Sequence, residues 1–102
     1  MRERILEVKL VKETRKRGGV ALKFVSPSFS GMPDRLVLLP HQVMGFVEVK
    51  APGEKPRPLQ ESRHAMLRKM GFPVFVLDNS EEISIILDKI TCAQDGKGGE
   101  AG

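Results

Sequence analysis

The stretch Gly45 to Ala51, GFVEVKA, is apolar except for Glu48 and Lys50, and no other feature of the 102-residue chain limits its fold so tightly. In a β-strand, residues two apart face the same side, so both charges must leave the sheet on one face while Val47 and Val49 line the other. An unpaired charge among apolar neighbours costs several kcal/mol, roughly, so this pair needs company. Asp34 is the nearest supply, in Pro33-Asp34, with thirteen residues between it and Glu48. Arg35 to Leu39 reads as the preceding strand, joined to Gly45–Ala51 by a turn around Pro40-His41-Gln42. Asp34 reaches the face of Glu48 and Lys50 only if paired residue numbers sum to an even value. Pairing near 39 with 43 achieves this and leaves three residues in the turn. Val37, Leu39, Val47 and Val49 then cover the opposite face, while Leu36, Leu38 and Phe46 fill the charged side away from the site. A sheet with apolar residues on both faces calls for helices on both.

The remaining chain supplies them. Residues 3–17 read as a helix because Ile5, Val8 and Val11 recur at helical spacing, Leu6 and Leu10 widen the stripe, and Gly18-Gly19 stops it. Glu7 has apolar residues at i+3 and i+4, so its carboxylate faces the buried side, either snorkelling at the core edge or joining a site. Val20 to Val25 alternates as a first strand, with Lys23 either flanking a site or reaching the sheet edge. Ser26 to Pro33 holds two prolines and a glycine and reads as a loop, as does Ala51 to Arg57. Pro58 opens a second helix that Gly71 ends, with Leu59, Met66, Leu67 and Met70 as its core stripe and Gln60 and His64 on a neighbouring line. Val74 to Leu77 is a fourth strand. Asp78-Asn79-Ser80 then caps a last helix with Ile83, Ile86, Leu87 and Ile90 along one face. Residues 93–102, AQDGKGGEAG, offer little to bury and read as a disordered tail after a single domain spanning 1–92.

Composition narrows the class. No apolar run approaches the roughly 18 residues of a membrane span, and Met1-Arg2-Glu3-Arg4 leads straight into a charged helix, so a cytoplasmic protein is expected. One cysteine, Cys92, allows no intrachain disulfide and no cysteine-based zinc site; it reads as a small buried or semi-exposed hydrophobe. The net charge of +4 is uneven, with Lys9, Lys12, Arg15, Lys16 and Arg17 in one segment and Lys55 and Arg57 in another. A polyanionic partner fits that pattern, as do ordinary solvated faces.

Two carboxylates and a lysine on one strand face suit magnesium, which takes a few hard oxygen ligands and completes its shell with waters and phosphate oxygens. Asp34 and Glu48 supply the carboxylates. A bound cation polarises a phosphoryl oxygen and acidifies its water, and Lys50 can place that water or offset charge growing on the phosphate. Taken alone, P-D and E-x-K are common and a salt-bridged surface hairpin would explain them. Their position at the ends of apolar central strands favours the site.

The order of a helix with Glu7, a strand, GMPD at 31–34, a strand, EVK at 48–50, APG at 51–53, PLQ at 58–60, a helix and a strand resembles the virus-type replication-repair nuclease (VRR-NUC) domain. That domain is a branch of the PD-(D/E)xK nucleases, and the resemblance is strongest to stand-alone phage and bacterial members. It covers roughly residues 5–85. It implies an α/β fold with a restriction-endonuclease-like core, a mixed sheet of about four strands flanked by helices in the order α-β-β-β-α-β-α. It implies that Asp34, Glu48 and the Val49 carbonyl bind Mg²⁺ or Mn²⁺, with Glu7 at the metal's outer edge. Lys50 would be catalytic, and Gln60 would orient Lys50 or the substrate. Pro56 stands where a leucine is usual, a departure in the loop before the second helix.

The implied reaction is hydrolysis of DNA phosphodiesters by water, leaving 5′-phosphate and 3′-hydroxyl ends. Stand-alone members are similar to Holliday-junction resolvases, so branched DNA is the expected substrate and a homodimer the expected assembly. One domain carries one site, and two symmetric cuts need two sites related by a two-fold axis. The residues expected to contact DNA are Lys23, Ser30, Arg35, Lys55, Arg57 and His64, reading shape through phosphates rather than bases. The alternatives are a less selective flap or single-strand nuclease, a catalytically silent DNA-binding module, and a small structural protein of a phage particle or replisome.

Overall fold

In a computed structural model, which describes the backbone of residues 2–101 and the side chains of residues 2–92, the hairpin takes the register that the charges require. In β2 (Arg35–Leu39) and β3 (Val43–Val49), Arg35 lies opposite Val47 and Leu39 opposite Val43. Pro40, His41 and Gln42 make the turn, with His41 and Gln42 at φ 70° and 63°, left-handed values uncommon outside glycine. β1 (Val20–Lys23) pairs antiparallel with β2, and β4 (Val74–Leu77) pairs parallel with β3, giving the strand order β1-β2-β3-β4. A parallel pair needs a long crossover, which α2 (Pro58–Lys69) provides. With α1 (Glu3–Lys16) before the sheet and α3 (Glu82–Ala101) after it, the order is α-β-β-β-α-β-α, as expected. β1 stops at Lys23 rather than Val25, and β3 spans Val43–Val49 rather than 45–51. The expected tail, 93–102, lies outside the fully described residues.

α1 and α3 cover one face of the sheet. Val37, Leu39, Val47, Val49 and Leu77 are buried there against Leu6 and Leu10 of α1 and Ile83, Ile86, Leu87 and Ile90 of α3. Gly45 belongs to this face: a Cβ on it would stand 2.8 Å from Cδ1 of Ile90, so the missing side chain lets α3 close onto β3. Arg17 secures the far end by donating to Asp88 Oδ1 at 2.6 Å and to Ser84 Oγ at 2.8 Å. The opposite face, under α2, has a smaller apolar cluster of Phe46, Leu67 and Val74, with Phe24, Met32, Leu36 and Met44 packed around it. Phe46 meets Phe24 and Phe72 edge to face, with centroids 5.8 and 6.2 Å apart.

α3 buries its expected stripe, whereas α1 and α2 are rotated from theirs. On α1 the buried line is Leu6, Leu10 and Thr14, with the Thr14 hydroxyl donating to the Leu10 carbonyl at 2.7 Å. Ile5 and Val8 stand 45% and 59% exposed. On α2, Leu59 and Met70 face solvent, and the buried line is Gln60, His64 and Leu67. Two of those three residues are polar, and what they face explains the rotation. Cys92 is free and exposed rather than buried or semi-exposed, and among the described residues no helix is long and apolar enough to cross a membrane.

Candidate active site

Asp34 stands one position before β2, so the register sets it beside Glu48 on the α2 face. Its backbone carbonyl accepts the Phe24 N–H at 2.8 Å, and its Oδ1 accepts the Val49 N–H at 3.1 Å. The loop leading into it is tied to α2. Arg63 donates from Nε to the Ser30 carbonyl at 2.8 Å and lays its guanidinium 3.8 Å from the centre of the Phe29 ring. Gly31, at φ +87°, passes so close to Leu59 that a Cβ would lie 2.8 Å from its Cγ. The aspartate therefore starts from a constrained backbone.

Glu48, in β3 between its neighbours β2 and β4, is only 3% exposed. Gln60 donates from Nε2 to its Oε2 at 3.4 Å, and Lys50 Nζ stands 4.0 Å from the same oxygen. His64 Nε2 lies 3.5 Å from Oε1, and both of those atoms are buried without a hydrogen bond. Gln60 also accepts the Arg57 N–H through Oε1 at 2.8 Å, so one side chain caps α2 and touches the carboxylate.

Burial raises the pKa of both carboxyls. Asp34 is pushed up to about 6 mainly by desolvation, with the Val49 N–H pulling the other way and the charges of Glu7 and Glu3 adding to the rise. Glu48 is pushed up to about 7, first by burial and then by Asp34, with Lys50 offsetting part of it. Burial holds the His64 imidazole below its usual pKa, and Arg68 lowers it further. Two adjacent carboxyls that the protein leaves short of positive charge suit a divalent cation. Among the described residues no three His, Cys, Asp or Glu side chains converge, so the side-chain share of such a site is Asp34 and Glu48. That donor set fits Mg²⁺ or Mn²⁺, whose shells are completed by water, backbone and phosphate oxygens.

Asp34, Glu48, Lys50 and Gln60 thus come together, with Val49 bound to Asp34 through its N–H. Glu7 does not enter that cluster directly. It pairs with Arg35 Nη2 at 2.9 Å, while its charge still reaches Asp34. Arg35 is occupied by Glu7 and by the Ala21 carbonyl at 3.2 Å, and its side chain lies on the α1 side. Lys23 is exposed and shares with Arg4, Glu7, Val8, Val11 and Arg35 a groove of about 460 Å³. Ser30, Lys55 and Arg57 are exposed on the loops flanking the site. His64, expected at the DNA surface, is instead 2% exposed behind Glu48. Sequence reasoning missed Glu3, whose charge acts on both Asp34 and Glu48. Its place four residues before Glu7, on the same line of α1, was the available signal.

The sequence signature of the VRR-NUC domain matches residues 2–81 of this chain. A phage protein named "Putative nuclease p44", from Acyrthosiphon pisum secondary endosymbiont phage 1, is 53% identical over 90 residues, covering 88% of this chain and 96% of that protein. A solved structure described as a VRR_NUC domain superposes with a TM-score of 0.79 at 33% identity, covering 84% of this chain and 94% of the other.

Proposed function

The chain belongs to the VRR-NUC domain family, and on that premise we propose that it is a metal-dependent, structure-selective DNA endonuclease resembling a Holliday-junction resolvase. The observation that carries this reading is the carboxyl pair of half-buried Asp34 and buried Glu48, both with raised pKa, beside Lys50. A structural hairpin would have no use for two desolvated acids.

Asp34, Glu48 and the Val49 carbonyl would hold Mg²⁺ or Mn²⁺. When bound, the cation neutralises phosphate charge and lowers the pKa of a coordinated water. Lys50, 4.0 Å from Glu48, orients the attacking water and stabilises the charge that builds on the phosphoryl oxygens. The water oxygen bonds to phosphorus, the bond from phosphorus to the 3′-oxygen breaks, and the departing oxygen takes up a proton. The ends are a 5′-phosphate and a 3′-hydroxyl. Gln60 holds Glu48 in place, and Glu7 adds its negative charge to the field at Asp34 from the outer edge. Ser30, Lys55 and Arg57 meet the backbone of branched DNA beside the site, Lys23 meets it from the groove it shares with Arg35 along α1, and the net charge of +4 favours that approach. A homodimer supplies the second cut, in the cytoplasm of a bacterial or phage-infected cell, consistent with the phage relative.

Incubation with labelled four-way junction, flap and linear duplex, in Mg²⁺ or EDTA, tests the proposal. Metal-dependent cleavage confined to the junction is expected. Equal cutting of flaps and single strands would replace selectivity with a general nuclease, and binding without cleavage in every metal would leave a silent DNA-binding module. Full junction cleavage by a protein of monomeric mass would remove the dimer.

A further inference from the structure

We propose that His64 is a positioning residue, donating from Nε2–H to Glu48 Oε1 and fixing the carboxylate so that Oε2 is presented to Lys50 and a cation. Glu48 Oε1 and His64 Nε2 are both buried without a hydrogen bond, yet they lie 3.5 Å apart. Leaving two such atoms unsatisfied is costly, whereas a small side-chain adjustment joins them. The residues are 3% and 2% exposed, which keeps water from serving either atom. Gln60 and His64 are four apart on α2, so one helix line brings a donor to each oxygen: Gln60 to Oε2 at 3.4 Å and His64 to Oε1. A neutral imidazole has one N–H to give, from either Nδ1 or Nε2. A Glu48 carboxylate that holds a cation can only accept, so the matching tautomer carries the proton on Nε2.

This inference deepens the proposed metal-dependent nuclease and rests on it for its consequence, though not for its geometry. Groups that orient a metal's carboxylate from behind typically change affinity about 10- to 100-fold when removed. His64→Phe keeps bulk and burial but loses the donor, whereas His64→Gln returns an N–H near the Nε2 position. We expect the Phe variant to bind Mn²⁺ about tenfold more weakly by calorimetry, with its melting temperature close to that of the parent, and the Gln variant to recover most of the loss. Unchanged Mn²⁺ affinity in His64→Phe, or a Gln variant as defective as Phe, overturns the proposal.

Nitrogen-15 spectra of the unsubstituted protein without metal, recorded well above the Glu48 pKa of about 7 so that its carboxyl is ionised, give a second reading that needs no variant to fold. A proton on Nε2, with a resonance displaced by Glu48→Gln, is expected. A bare Nε2 overturns the positioning role even if DNA is cut. A protonated Nε2 in a protein that neither binds Mn²⁺ nor cuts upholds the contact and defeats the nuclease reading instead.

Discussion

The sheet face under α1 and α3 is sealed by aliphatic side chains, whereas the face under α2 has a short apolar cluster at one end and Asp34, Glu48 and Lys50 at the other. The first face supplies burial, at about 25 cal/mol per Å² of apolar surface. The second gives some of that stability up by desolvating two acids. α2 follows the same division. It buries Gln60 and His64 and leaves Leu59 and Met70 in water, because Glu48 beneath it needs donors more than the small cluster needs another methionine. The aliphatic face makes it possible to hold the charged one in a fixed and unfavourable arrangement.

Substitutions on the two faces should therefore separate activity from stability. Lys50→Ala and Asp34→Asn are expected to lower junction cleavage by about a thousandfold while the melting temperature holds or rises. Retained cutting in either removes that residue from its role. On the opposite face, Leu87→Ala should cost about 2–5 kcal/mol in urea unfolding, and the remaining folded protein should keep its Mg²⁺ requirement. Gly45→Ala tests the same face at its tightest approach. Its Cβ would meet Ile90, and a loss of about 1–3 kcal/mol is expected; no loss would show that α3 can move away from β3.

The charged face should also show itself in pH. Both carboxyls have folded-state pKa values above their usual ones, so the folded protein retains protons that the unfolded chain has released. Stability without metal should fall as pH rises from about 4 to about 7, and added Mg²⁺ should flatten that slope. A metal-free melting temperature that stays level across this window would contradict the desolvated pair. The smallest expected effect is that of Glu7→Gln. Losing the half-buried pair with Arg35 should cost about 1 kcal/mol and weaken the Mg²⁺ dependence slightly, and an unchanged Mg²⁺ titration would confine Glu7 to holding Arg35.

Glu48 and Lys50 had to share a face because the strand period is two, and Asp34 could join them only through even pairing, which the 39–43 register delivers. Parity leaves no intermediate answer. For the same reason the sheet's two-sided covering and the cluster of Asp34, Glu48 and Lys50 were legible from residue order. Helix rotation was not, because a period of 3.6 lets neighbouring lines of one helix, such as Leu59–Met70 and Gln60–His64, compete for the buried side. Only the packed sheet settles that competition. The pairing of Glu7 with Arg35, 28 residues apart, the reach of Glu3 and the withdrawal of His64 behind Glu48 likewise depend on where α1 and α2 settle. Local periodicity determined which residues could share a face. The third dimension decided which charges they would meet there, because electrostatic partners follow distance through space rather than along the chain.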